Sequence, residues 1–271
     1  MDTLARIVRR GALLPAVVLA LSCLTIPAHA DRRYFLFTYS PFLDEAGEAE
    51  IETWFTARAG KQDAGIPVGW EPRLEYEYAL HDRFTAAAYL NFAKQPGEHL
   101  QFESPSLELI YRFQDAGKLL GDPAIYLETT ESGDELELES KLLLAHRRNR
   151  FMSALNLVGE FEFRHDDREL LPSGHVLRNG FAGEITGGVA YEASHALSVG
   201  LETRYRSEHP NFGRQSAALL AVGPSLNVRA GKGQLALGVM PQVWGTPGSS
   251  GGRNLVDFES MQVRAIVGLE L

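Results

Sequence analysis

Over 271 residues the chain is 45% apolar and 23% charged, with a formal charge of −9. Such an acidic balance argues against a nucleic-acid partner on electrostatic grounds. No apolar run of about 18 residues outside the N-terminus offers a transmembrane helix.

The N-terminus sets the compartment. Arg6, Arg9 and Arg10 precede the apolar run "GALLPAVVLALSCLTIP", which ends in "AHA" at Ala28–Ala30. A basic region, a short apolar core and a small-x-small site are the parts of a secretory signal peptide, with cleavage expected between Ala30 and Asp31. Asp2 and the three arginines leave with it, which moves the formal charge from −9 to −11. The sole cysteine, Cys23, lies in the removed part, so the expected mature chain has no disulfide or thiolate metal site. Acylation of Cys23 is the alternative, and Ala20 and Leu21 before it fit a lipoprotein signal poorly.

Residues 31–47, "DRRYFLFTYSPFLDEAG", are aromatic-rich and precede the first clear alternation. They read as a periplasmic lead-in, a first half-strand or a small internal plug, and the sequence leaves the three open. Period-two alternation then recurs near 48–58, 70–80, 83–93, 104–113, 122–130, 134–145, 150–163, 180–191, 196–206, 216–229, 234–244 and 260–271, giving twelve expected strands. Tight connections fall at His81–Asp82, His146–Asn149, Ala193–His195 and Ala230–Gly233. Longer Gly/Pro/polar ones fall at 59–69, 94–103, 164–179, 207–215 and 245–259. Two connections break the rule, 114–121 being long for a turn and 131–133 short for a loop. Short and long connections in alternation describe an all-β transmembrane up-and-down antiparallel barrel in residues 48–271. An even count puts both chain ends on the short-turn, periplasmic side.

Aromatics decide which face meets lipid. On the apolar face Trp70, Phe92, Phe161, Phe163, Phe181 and Tyr205 sit near the long-loop ends. Tyr78, Phe84, Tyr111, Phe113, Phe151 and Tyr191 sit near the short-turn ends, with aliphatic residues between. Two girdles around an aliphatic band match the two lipid–water interfaces, so membrane lipid is an expected partner. A soluble ligand-binding barrel would have no reason to sort its aromatics this way. The opposite face is expected to line a wet lumen through Glu75, Glu77, Glu108, Arg112, Glu128, Glu137, Glu139, Glu160, Glu162, Glu184, Glu202, Arg204, Arg206, Arg229 and Arg264. Glutamates dominate the first eight strands and arginines the later ones. Either opposed walls set a field across a pore, or the charges pair and fill it.

The closing segment "MQVRAIVGLEL" resembles the strand by which the outer-membrane assembly machinery recognises its clients, although it ends in Leu271 where Phe or Trp is usual. Taken with "GEAEIETWFTARAGK", "LEYEYALHDRFTAAAYLNF", "SLELIYRFQD", "SKLLLAHRRNRFMSALNLVGEFEF" and "VGPSLNVRAGKGQLALGVMPQVWG", it resembles a family of bacterial outer-membrane barrels carrying transporter labels. That family includes proteins of phenol-degradation gene clusters. The resemblance implies fold and location, and none of these stretches carries a catalytic signature.

Three further patterns bear on chemistry. "FRHDDREL", with His165, Asp166, Asp167 and Glu169, offers an Asp/His cluster at the outer rim, as a hydrolase or a cation site would need. A second His or acid would have to come from His209 or Asp63 in unrelated loops, so a solvated loop is the plainer reading. Ser194–His195 lies in a short turn with poor geometry for nucleophilic catalysis. "GTPGSSGGRN", Gly245–Asn254, follows a strand with no helix behind it, which makes it a flexible outer loop and no phosphate cradle. In-strand glycines such as Gly183, Gly187, Gly188, Gly200, Gly223 and Gly238 are expected to mark bends or close interior packing. The expected function is a narrow passive channel for a small polar or charged solute, without a cofactor or metal. The alternatives are a rim hydrolase and a sealed structural barrel.

Overall fold

The structure is a computed structural model that describes residues 33–61, 69–95, 97–133, 135–164, 179–248 and 251–271. Twelve strands follow in order: β1 (Ala49–Ala59), β2 (Gly69–His81), β3 (Phe84–Ala93), β4 (Gln101–Arg112), β5 (Ala124–Ser132), β6 (Glu135–Arg148), β7 (Phe151–Arg164), β8 (Asn179–Ser194), β9 (Leu197–Pro210), β10 (Ala217–Ala230), β11 (Gly233–Thr246) and β12 (Met261–Glu270). Each pairs antiparallel with its sequence neighbours, and β1 pairs with β12 to close the barrel. Closure leaves no sheet edge unpaired, which a backbone surrounded by hydrocarbon requires. The tight turns use left-handed residues where their geometry demands them, as at Asn149 (φ +55°) and Gly231 (φ +58°).

The period of two sorts side chains between two environments. On β2, Leu74, Tyr76, Tyr78 and Leu80 are exposed on the outer wall, while Glu75 between them is 1% exposed. The same inversion holds around the barrel, with Leu107, Val189, Leu201 and Val267 outside and Glu108, Glu202 and Ile266 buried inside. Outer aromatics pair at both rims. Phe92–Phe102 (ring centroids 5.7 Å apart) and Phe161–Phe181 (5.1 Å) lie at the long-loop end. Tyr111–Phe113 (5.8 Å) and Phe151–Tyr191 (5.1 Å) lie at the short-turn end. An outward apolar band between such pairs fits a bilayer and would be unstable facing water.

Residues 33–44 run inside the barrel with no strand of their own. Tyr34, Phe35, Leu36, Phe37, Thr38 and Tyr39 are all buried, and we refer to this segment as the strap. Its side chains meet two groups of inward apolar residues. Leu36, Phe37 and Tyr39 join Trp54, Ile110, Tyr126, Leu143, Met240 and Ile266. Tyr34 and Phe35 join Ala145, Met152, Ala154 and Ala190. Part of the lumen is therefore a packed core, where a wet interior is expected from the alternating charges alone. Two in-strand glycines explain how the strap fits. A Cβ at Gly188 would lie 2.5 Å from Phe35, and one at Gly238 would lie 2.1 Å from Leu36.

The loop from Gly245 to Asn254 ends in an anchored residue. Asn254 is fully buried, and its Nδ2 donates to the Thr246 carbonyl (3.1 Å) and to Asp257 (2.7 Å). Its Oδ1 accepts from the Val256 and Asp257 backbone, which turns the chain so that Phe258 joins the core.

Candidate functional site

Above the strap, a cavity of about 650 Å³ reaches Lys61, Gly69 and Gln95 at the long-loop end. Phe37, Tyr39 and Trp54 form part of its floor, and its walls are charged. Eight of the expected lumen residues line it: Glu128, Glu137, Glu139, Glu160, Glu184, Arg204, Arg206 and Arg264. Glu77 lines a smaller cavity of about 50 Å³ below the strap, and Tyr39 borders both spaces. Glu75, Glu108 and Glu202 are inward but buried in protein and line neither cavity. Arg112 donates to the Asp82 carbonyl at the short-turn rim (2.8 Å), where Arg229 pairs with Glu270 (3.4 Å). Glu162 stands opposite Glu137 on neighbouring strands but does not line the cavity.

The basic and acidic residues do not simply oppose each other across the lumen. Arg206 makes a forked contact with Glu160 (2.9 and 2.6 Å) and a further one with Glu208 (2.6 Å). Arg204 contacts Glu184 (2.8 Å) on the adjacent strand and Gln262 (3.3 Å). Bidentate guanidinium–carboxylate pairs are strong and directional, so these charges are largely neutralised side by side. Lys141 pairs with Glu139 (2.7 Å) and sits over the rings of Tyr126 (3.8 Å) and Tyr39 (4.1 Å).

Arg264 is different. Its Nε donates to Thr56 (2.9 Å) and its Nη1 to the Leu36 carbonyl (2.8 Å), while the guanidinium lies 4.1 Å from the Phe37 ring centroid. Among the described residues no carboxylate pairs with it. Three guanidiniums, from Arg33 (4.8 Å), Arg264 (5.2 Å) and Arg73 (5.5 Å), surround the Trp54 ring, whose Nε1 donates to Glu52 (2.9 Å). Arg33 pairs with Glu52 and Arg73 lies 3.8 Å from Glu128, so on this aromatic floor Arg264 is the guanidinium without a carboxylate among the described residues.

The strap is held mainly through its backbone. The buried Glu202 carboxylate accepts from the N–H groups of Leu36 (3.1 Å), Phe37 (2.7 Å) and Thr38 (2.6 Å). Asn156 clasps Tyr39 from both sides, accepting from its N–H (2.6 Å) and donating to its carbonyl (3.0 Å). Arg33 anchors the near end on Glu52 (2.7 Å). Thr186, whose hydroxyl donates toward Asn156 (3.2 Å), joins Trp54 and Asn156 as site residues that reasoning from the sequence misses, because an inward residue on one strand does not reveal what it meets. One signal was available. Leu142–Ala145 is apolar at every position, so both faces of β6 face apolar surroundings there, lipid outside and the strap inside.

His165, Asp166, Asp167, Glu169 and Asp63 lie outside the described residues. His209 bonds Ser207 (2.7 Å) and its ring lies against Phe181 (5.7 Å). Ser194 is committed to its own turn through the Ala196 N–H (3.2 Å).

Sequence comparison finds no matching family model and no matching curated protein. Solved structures match in fold. The NanC porin superposes with a TM-score of 0.56 at 13% identity, covering 82% of this chain and all of that one. The translocator domain of the autotransporter NalP from Neisseria meningitidis gives 0.50 at 13% identity, covering 99% of this chain and 96% of that one. The chain therefore has the fold of a bacterial outer-membrane β-barrel.

Proposed function

We propose that the protein is a channel for small charged solutes in the bacterial outer membrane, with a vestibule on the long-loop side and the strap as its gate. The observation that carries this reading is the charged 650 Å³ cavity whose floor presents Arg264 without a carboxylate partner among the described residues. A guanidinium on an aromatic floor attracts the anionic part of a solute, and the surrounding carboxylates limit what else follows it. A porin among the structures sharing the fold supports the class and names no solute. The resemblance to phenol-degradation barrels supplies none either.

Two features favour a gate over a permanent seal. The strap forms no strand pairing with the wall, and its backbone is held by side chains instead, those of Glu202, Asn156, Thr186, Ser225, Gln234 and Arg264. In the same reading, the segment before Asp31 is a cleaved export signal and β12 is the strand the assembly machinery recognises. The test is the reversal potential of the reconstituted barrel under a salt gradient. Arg264→Gln is expected to move selectivity toward cations. Unchanged selectivity in a conducting Arg264→Gln barrel would remove that residue, and with it the observation on which the reading rests.

A further inference from the structure

Strand register sets carboxylates directly opposite one another in a single row around the inner wall. The row runs Glu270, Glu50, Glu77, Ala87, Glu108, Glu128, Glu139, Glu160. Like charges opposite each other on a sheet repel, so each needs a counter-charge or a donor. Most have one. Arg229 meets Glu270, Gln234 meets Glu50 (2.9 Å), Lys141 meets Glu139 and Arg206 meets Glu160. The Tyr126 hydroxyl and Arg73 (3.8 Å) serve Glu128.

The exception centres on Ala87, where the row has no carboxylate. Glu77 and Glu108 flank it, and Glu75 lies two residues along β2. One carboxylate oxygen from each of these three glutamates lies within 4.8 Å of the others. Glu75 is 1% exposed, and neither of its oxygens has a hydrogen-bond partner. Glu108, also 1% exposed, engages the Tyr89 hydroxyl through Oε2 and leaves Oε1 without a partner. A buried carboxylate is costly unless it is paired, and the nearby cations Arg33 and Lys141 already hold Glu52 and Glu139.

We propose that Glu75, Glu77 and Glu108 form a binding site for a hard divalent cation of the calcium type. The donor set is oxygen only, which selects against zinc and copper. Calcium's large, flexible oxygen shell accepts a set of three carboxylates more readily than the strict octahedron of magnesium, which keeps several waters. Glu77 also lines the 50 Å³ cavity that Asp44, Glu50 and the Arg33–Glu52 pair share, an approach from the short-turn side with more acidic than basic groups. Bound there, the ion ties β2 to β4 across β3 and braces the wall beside the strap.

The test is calcium titration calorimetry on the full-length folded barrel, stripped with chelator and held in a non-ionic detergent. Terbium luminescence sensitised by Tyr89 provides a second readout. One calcium ion per barrel is expected. Losing even an outer-shell partner costs about 10–100-fold in metal affinity, so Glu75→Gln and Glu108→Gln are each expected to weaken binding at least about tenfold. Glu98→Gln, on an exposed turn away from the cluster, leaves binding unchanged. Should the buried variants fail to fold, the half-buried Glu77→Gln supplies the comparison. Absence of saturable calcium binding by the folded wild-type barrel, or equal affinity in the wild type and the cluster variants, would overturn the proposal.

Discussion

Replacing Glu202 with alanine isolates the contact that holds the strap most firmly. Three N–H groups lose a charged acceptor at 3.1, 2.7 and 2.6 Å. Hydrogen bonds to a charged group contribute about 1.5–3 kcal/mol each, a gross loss of about 5–9 kcal/mol. Removing the buried carboxylate also removes its own desolvation penalty of several kcal/mol, so the net effect on strap docking is about 3 kcal/mol. At about 1.4 kcal/mol per decade, the docked-to-released ratio falls about a hundredfold. Thr38→Cys reports it. Thr38 is 4% exposed, and the sole natural cysteine precedes Asp31. Maleimide labelling of the introduced thiol is expected to run about a hundredfold faster when Glu202→Ala is added, since the rate follows the released fraction. Equal labelling rates in two folded barrels would refute the reasoning, because the carboxylate would then contribute nothing to docking.

Gly238→Val places a branched side chain where a single Cβ already lies 2.1 Å from Leu36. Overpacking of this kind costs about 1–3 kcal/mol, read as a lower urea midpoint and faster labelling of the Thr38→Cys thiol. An unchanged midpoint and labelling rate would show that Leu36 is not packed there. Intact mass of the barrel isolated from outer membranes is expected to correspond to a chain beginning at Asp31. A lipid adduct on Cys23 would contradict this.

The outer wall was legible because lipid and lumen impose opposite chemistries on alternate residues, and a period of two survives any tertiary detail. Strand ends agree with the sequence reading to within a few residues. The drift occurs where a bulge or a long loop lets pairing continue, as at β9, which runs on to Pro210. The interior was legible only in its charges. Glu202 reads as a lumen acid like its neighbours, and only the fold shows three backbone amides converging on it. The pairing of Arg206 with Glu160, 46 residues away, depends on register between non-adjacent strands, which no local pattern encodes. The strap's aromatics were visible, but their destination depended on glycines at 188 and 238, whose missing side chains make the room.

A charged vestibule closed from below by the strap is the central claim, and conductance tests it most directly. Planar-bilayer recordings would compare the wild-type barrel with one lacking residues 33–44, both shown to be folded by heat-dependent electrophoretic migration. Low, rarely opening currents are expected of the wild type, and a large steady conductance once the strap is removed. No conductance from either folded barrel, or the same conductance from both, would contradict the claim.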